Sequence, residues 1–248
     1  MLRRAHVSRG LFACLVASSA VAAASLSPAG ASAGQTGYDV SYPQCGRTPS
    51  SPGGFDILGV NDGIVYSPNP CLAAEYRWAT SASAPATVSF YANTADPGSQ
   101  SSHWPTGQSS PKPCPAESRY RQGTQAFGNC SYDYGWNAAA NSFADAVAAT
   151  PSGVPGGSQW WLDVESANSW TTDHGANIAD IQGGVDYLRS KVAYAGIYTD
   201  PASWVSITGS TTQFSGYPYW APGGTSATAS ATCHNAAASV TGGHIRYV

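Results

Sequence analysis

Charge is scarce in this chain of 248 residues: only 10% are Asp, Glu, Lys or Arg, and the net charge is −3. No basic patch stands out, which argues against nucleic acid as a partner. No stretch reaches 18 consecutive apolar residues, so no membrane span is expected. There is no C-x-x-C pair or close Cys/His cluster, which excludes the usual zinc spacing and leaves His234 as a loop residue. The absence of a G-x-S-x-G elbow, and of a His placed to activate it, removes Ser41 as a nucleophile. No internal repeat or second domain is found, and no cofactor is expected.

What the chain does hold is Gly, Ser, Thr, Ala, Tyr and Trp, the composition of an exported protein with long polar loops. Arg3, Arg4 and Arg9 accompany an apolar run over residues 11–24, and Ala31-Ser32-Ala33 offers an A-x-A cleavage site. Residues 1–33 therefore read as a secretory signal and 34–248 as one extracellular domain, expected to be a monomer. Cleavage would remove three of the 11 basic residues and none of the 14 acidic ones, taking the net charge to −6. Five cysteines follow the signal. In an oxidising compartment disulfides are expected, and closeness in sequence favours Cys45–Cys71 and Cys114–Cys130, with Cys233 left unpaired.

Strand-like and helix-like segments alternate. Residues 37–42, 55–61, 86–93, 159–165, 193–199 and 217–221 read as strands, and 245–248 as the start of a seventh. Helices are expected over 70–79, along a face of Trp136, Ala140, Phe143 and Val147, and along Ile178, Ile181, Val185 and Leu188 with Thr172 or Asp173 as cap. Between them, residues 94–130 lack periodicity, and a loop of that length is often functional. The β-then-α order predicts an α/β fold with a mostly parallel sheet, whose functional groups collect at the carboxyl ends of strands. That edge would carry Asp39 and Ser41, then Asn61, Asn93, Asp163 with Glu165, and Tyr198.

The most telling stretch is Trp160-Trp161-Leu162-Asp163-Val164-Glu165-Ser166. Residues at i and i+2 of a strand share a face, so Asp163 and Glu165 project together, their Cα atoms about 6.5 Å apart. A carboxylate pair of this kind suits glycoside hydrolysis. It also suits a structural network or a non-catalytic sugar site.

Four motifs in order resemble the lysozymes of glycoside hydrolase family 25: Gly37-Tyr38-Asp39-Val40-Ser41, Asp163-Val164-Glu165, Gly196-Ile197-Tyr198-Thr199, and Trp220-Ala221. The stretches NPCLAAEYRWA, CSYDYGWNAA and WWLDVE are closer still to exported actinobacterial glycoside-hydrolase-like proteins. The resemblance implies a TIM-like (β/α) barrel variant of eight strands and cleavage of β-1,4 bonds in peptidoglycan, a cell-wall polysaccharide. It implies Glu165 as general acid, Asp163 as the assisting carboxylate and Asp39 as the third acid. It also leads one to expect a late Asp and a further Cys. The sequence ends at His244-Ile245-Arg246-Tyr247-Val248 with neither, so the last strand is expected to be cut short.

Crowding by Asp39 and Asp163, with partial desolvation, is expected to raise the Glu165 pKa. Tyr42, Tyr91, Trp170, Tyr198 and Trp220 lie near strand ends and are candidates to cover sugar faces, with Asn61 and Asn93 as candidates to bind hydroxyls. Trp160, Leu162 and Val164 alternate away from the acids and are expected under the helices. The competing function is a catalytically inactive exported domain that binds glycan or serves structurally.

Overall fold

The computed structural model describes residues 9–12, 35–81, 87–116, 121–150, 157–223 and 226–248. Eight strands form one sheet in the sequential order β1 to β8. They are β1 (Arg9–Phe12), β2 (Thr36–Val40), β3 (Phe55–Gly59), β4 (Thr87–Asn93), β5 (Gln159–Asp163), β6 (Tyr194–Tyr198), β7 (Tyr219–Trp220) and β8 (Ile245–Tyr247). β1 runs antiparallel to β2. Every later neighbour pair is parallel. Among the described residues five α-helices accompany them: α1 (Leu72–Ala79), α2 (Gln125–Ala149), α3 (His174–Lys191), α4 (Pro201–Thr208) and α5 (Ser226–His234). Among the described residues, no helix is long and apolar enough to cross a membrane.

The period-2 pattern sorts the strands' side chains into two layers. Val40, Leu58, Phe90, Trp160, Leu162 and Ile197 point outward into the core shared with the helices. Phe55, Ile57, Trp161, Trp220 and Tyr247 fill the concave side. Tyr247 of β8 stacks on Phe55 of β3 with ring centroids 4.8 Å apart, so the sheet curls until distant strands touch through their side chains.

The row of strands ends at β1 and β8, and among the described residues no ladder joins them, leaving a half-closed, TIM-like α/β barrel. The free edge of β2 is already paired by β1, while β7 and β8 are only two and three residues long. Of the segment read as an export signal, residues 9–12 are that strand. The rest, with the Ala31-Ser32-Ala33 site, lies outside the described residues, as does Ala86.

Helix ends follow their caps. Thr124 accepts from the Phe127 amide to begin α2. This start falls inside the stretch read as loop. Asp173 accepts from the amides of Gly175 and Ala176 to begin α3. Asp200 with Pro201 begins α4, a helix the periodicity did not announce, and Gly209 ends it in the left-handed region at φ 65°. The face expected for α2 is also corrected: Val147 is exposed, and the buried stripe runs through Ser131, Gly135, Ala138, Ser142 and Ala146. Small residues turn inward because α3 approaches closely. A Cβ on Gly135 would lie 2.0 Å from the Asp180 carbonyl oxygen, and one on Gly183 would lie 2.0 Å from that of Tyr132.

Disulfides join Cys45 to Cys71 and Cys114 to Cys130 as expected. The second closes the long loop against α2. Cys233, expected to be unpaired, is disulfide-bonded.

Candidate active site

The carboxyl ends of β2 to β6 form one rim. Asp39 comes from β2, Tyr91 and Asn93 from β4, Asp163 from β5 with Glu165 just beyond it, and Tyr198 from β6. Parallel register sets Asn93 beside Asp163 and Asp163 beside Tyr198. The two acids of the WLDVE run and the acid of the first parallel strand share one field. Burial pushes Asp39 up to about 7, helped by the charges of Glu165 and then Glu75. Burial also holds Asp163 well above the usual carboxylate range, with Glu165 and Asp39 adding to it. Like charges at close range resist simultaneous ionisation, which ties the protonation of each to the others.

Around the acids, each aromatic group has a definite place. The Tyr91 phenol is pushed well above its ordinary pKa by burial and the charge of Asp39, opposed by its hydrogen bond to Ser41. Its ring end occupies space that Gly59 leaves open: a Cβ there would lie 2.7 Å from the Tyr91 hydroxyl and 2.5 Å from the Ser41 Cβ. Trp220 is only 4% exposed. It is the hub of the floor, meeting Tyr198 at 4.5 Å and both Trp161 and Tyr91 at 6.1 Å between ring centroids. Tyr198 is raised by burial and by the charges of Glu165 and Asp163.

Trp170 and the asparagines are engaged within the protein. The Trp170 indole N–H donates to the Glu165 carbonyl at 2.9 Å, and the Asn168 amide donates to the same oxygen at 3.1 Å, which fixes the backbone that carries Glu165. Asn93 Nδ2 donates to Asp163 Oδ2 at 2.7 Å. Asn61 is 1% exposed, with its Oδ1 accepting from the Asn93 amide at 2.9 Å and its Nδ2 donating to Ser142 Oγ at 3.2 Å.

Glu75 of α1 was not foreseen. It is 1% exposed, and burial raises its pKa while the Asn69 side-chain N–H opposes this from 2.7 Å. An acid in the first turn of a helix reads in sequence as an ordinary dipole-favoured residue, so nothing marked it.

A groove of about 460 Å³ runs along the loops after β2, β3, β4 and β5. Tyr42, Asp62, Ile64, Ala95, Pro97 and Asn168 are among its walls. Tyr42, 40% exposed, is the one sequence-selected aromatic that lies open along it.

Residues 134–234 match the family model described as "Lys-1: Lysozyme-like protein 1". Over 60 residues the chain is 40% identical to "Probable GH family 25 lysozyme 4" of Dictyostelium discoideum. The chain resembles the family 25 lysozymes. That match spans 24% of this chain and 28% of the Dictyostelium protein's length. Among solved structures, a muramidase from Acremonium alcalophilum aligns over 74% of each chain at 18% identity and a TM-score of 0.45. The bacterial lysozyme from Streptomyces coelicolor aligns over 74% of this chain and 71% of its own, at 16% identity and a TM-score of 0.41. The lysozyme-like segment contains Asp163 and Glu165, and Asp39 lies outside it.

Proposed function

We propose that this protein is a secreted muramidase that cuts β-1,4 bonds between N-acetylmuramic acid and N-acetylglucosamine in peptidoglycan. The observation that carries the reading is the meeting of Asp39, Asp163 and Glu165 in one electrostatic field at the strand ends, with Tyr91, Tyr198 and the aromatic floor around them. Two disulfides suit an oxidising compartment outside the cytosol.

Glycoside hydrolysis needs a proton at the leaving oxygen and negative charge beside the oxocarbenium-like centre. Glu165, partly exposed at the rim, donates the proton. Asp163, buried and held by Asn93, supplies the charge in its ionised form, which the Asn93 N–H favours and burial opposes. Asp39, pushed up to about 7 chiefly by burial, is the third acid of the cluster. Tyr42 and the groove walls carry the flanking sugars.

The test is reducing-end release from purified cell walls by the full-length protein. Glu165→Gln is expected to lower the rate by roughly 10²- to 10⁴-fold, the usual worth of a positioned general acid. A folded protein that binds walls yet releases no muropeptides would overturn the reading in favour of a non-catalytic glycan-binding domain.

A further inference from the structure

Asp163 is held by one hydrogen bond at one oxygen. Its Oδ2 accepts from Asn93 Nδ2, while its Oδ1 is buried without a hydrogen-bond partner. Asn93 stands directly across the ladder from it. The Asn93 backbone is itself held: its amide N–H donates to Asn61 Oδ1. The other end of the Asn61 amide donates to Ser142 Oγ, on the fully buried stripe of α2. Helix α2, the loop after β3 and the end of β4 are thus joined in one chain of hydrogen bonds that terminates on an acid of the rim.

We propose that Asn93 is a positioning residue for Asp163, held in place by Asn61 and Ser142. An amide suits the task better than any ionisable group. It offers a donor to the ionised carboxylate at every working pH and adds no charge to a site already crowded with acids. Glu165 beyond β5 and Asp39 on β2 both disfavour a charge on Asp163, and Glu75 on α1 acts through Asp39. Tyr91 of β4 and Tyr198 of β6 are kept neutral beside it. Against these, the Asn93 N–H favours the ionised form. The role in turnover rests on the muramidase reading; the effect on Asp163 does not.

The test uses full-length protein carrying ¹³C in the Asp carboxyl groups, with the Asp163 signal assigned by its loss in Asp163→Asn. Asn93→Ala is expected to move the Asp163 titration upward by about one pH unit, the scale of a lost hydrogen bond to the charged form. Asn93→Gln, which keeps the amide donor, is expected to restore part of the shift. Ser142→Ala, nearly isosteric and remote from the rim, is expected to move it in the same direction by less. On cell walls, Asn93→Ala is expected to lower kcat about tenfold with KM nearly unchanged, and to carry the acid limb of the pH profile upward. An unchanged Asp163 titration in both alanine variants overturns the relay, whatever the activity. A shifted titration in a protein that cleaves no wall upholds the relay and removes the muramidase reading.

Discussion

Gly59 shows how closely the site is built at the scale of one residue. It ends β3 where the Tyr91 hydroxyl and the Ser41 side chain converge, and no side chain fits between them. A methyl group there must displace the Tyr91 phenol or bend β3, since close-packed interiors accommodate added volume only by strain. Gly59→Ala is expected to cost about 1–3 kcal/mol in a denaturant melt and to reduce wall cleavage. A variant of wild-type stability would show that the Tyr91 ring has room to move. The pairing of Asp163 with Glu165 was legible in WLDVE because strand periodicity is local. Asn61 and Asn93 were legible as strand-end residues, but their partners were not. An amide's hydrogen bonds depend on groups such as Ser142, 81 residues along the chain from Asn61.

At the scale of elements, the contact of α2 with α3 governs the back of the rim. Both helices begin at the edge that carries the acids and run side by side, with glycines where the backbones touch. Gly183→Ala would drive a Cβ into the Tyr132 carbonyl oxygen, and backbone yields less readily than a flexible side chain. Urea unfolding is expected to show a lower midpoint with an unchanged slope, by about 2 kcal/mol or more. A midpoint equal to wild type would mean that the helices have freedom to separate. Periodicity of large apolar residues predicted the α3 face well, since Ile181, Val185 and Leu188 are buried. It misplaced the α2 face because Gly, Ala and Ser carry little hydrophobic signal yet define the closest approach. α4 and α5 escaped for a related reason: they are short, and α4 is marked mainly by its Asp-Pro start and Gly end.

The whole molecule holds more buried acid than a typical fold tolerates with charge intact. Asp39 is pushed up to about 7, and Asp56 and Asp96 to about 6, in each case mainly by burial. Asp163 and Asp180 lie well above the usual range for the same reason. A raised folded-state pKa means that the native protein holds protons which the unfolded chain has already released. Stability is therefore expected to be fullest below about pH 4 for these groups, and to fall as pH rises through about 6 to 7. Asp96 alone would account for roughly 3 kcal/mol between those limits, at about 1.36 kcal/mol per unit. Melting temperatures measured from pH 4 to 8 are expected to decline, and Asp96→Asn to flatten the decline. A curve that rises toward pH 8 would show that these acids are ionised in the folded state.

Seven parallel strands, the two disulfides with close spacing, and a pair of acids on one strand face followed from the amino-acid sequence by itself. Each rests on local periodicity or on short separations along the chain, which side-chain chemistry alone dictates. Only the tertiary structure decided that the buried Glu75 bears on Asp39, that Trp220 is floor instead of open platform, and that the barrel stops half-closed with β1 on its edge. Those outcomes depend on contacts between residues far apart in sequence, where burial and neighbouring charge, absent from any single segment, set both geometry and protonation.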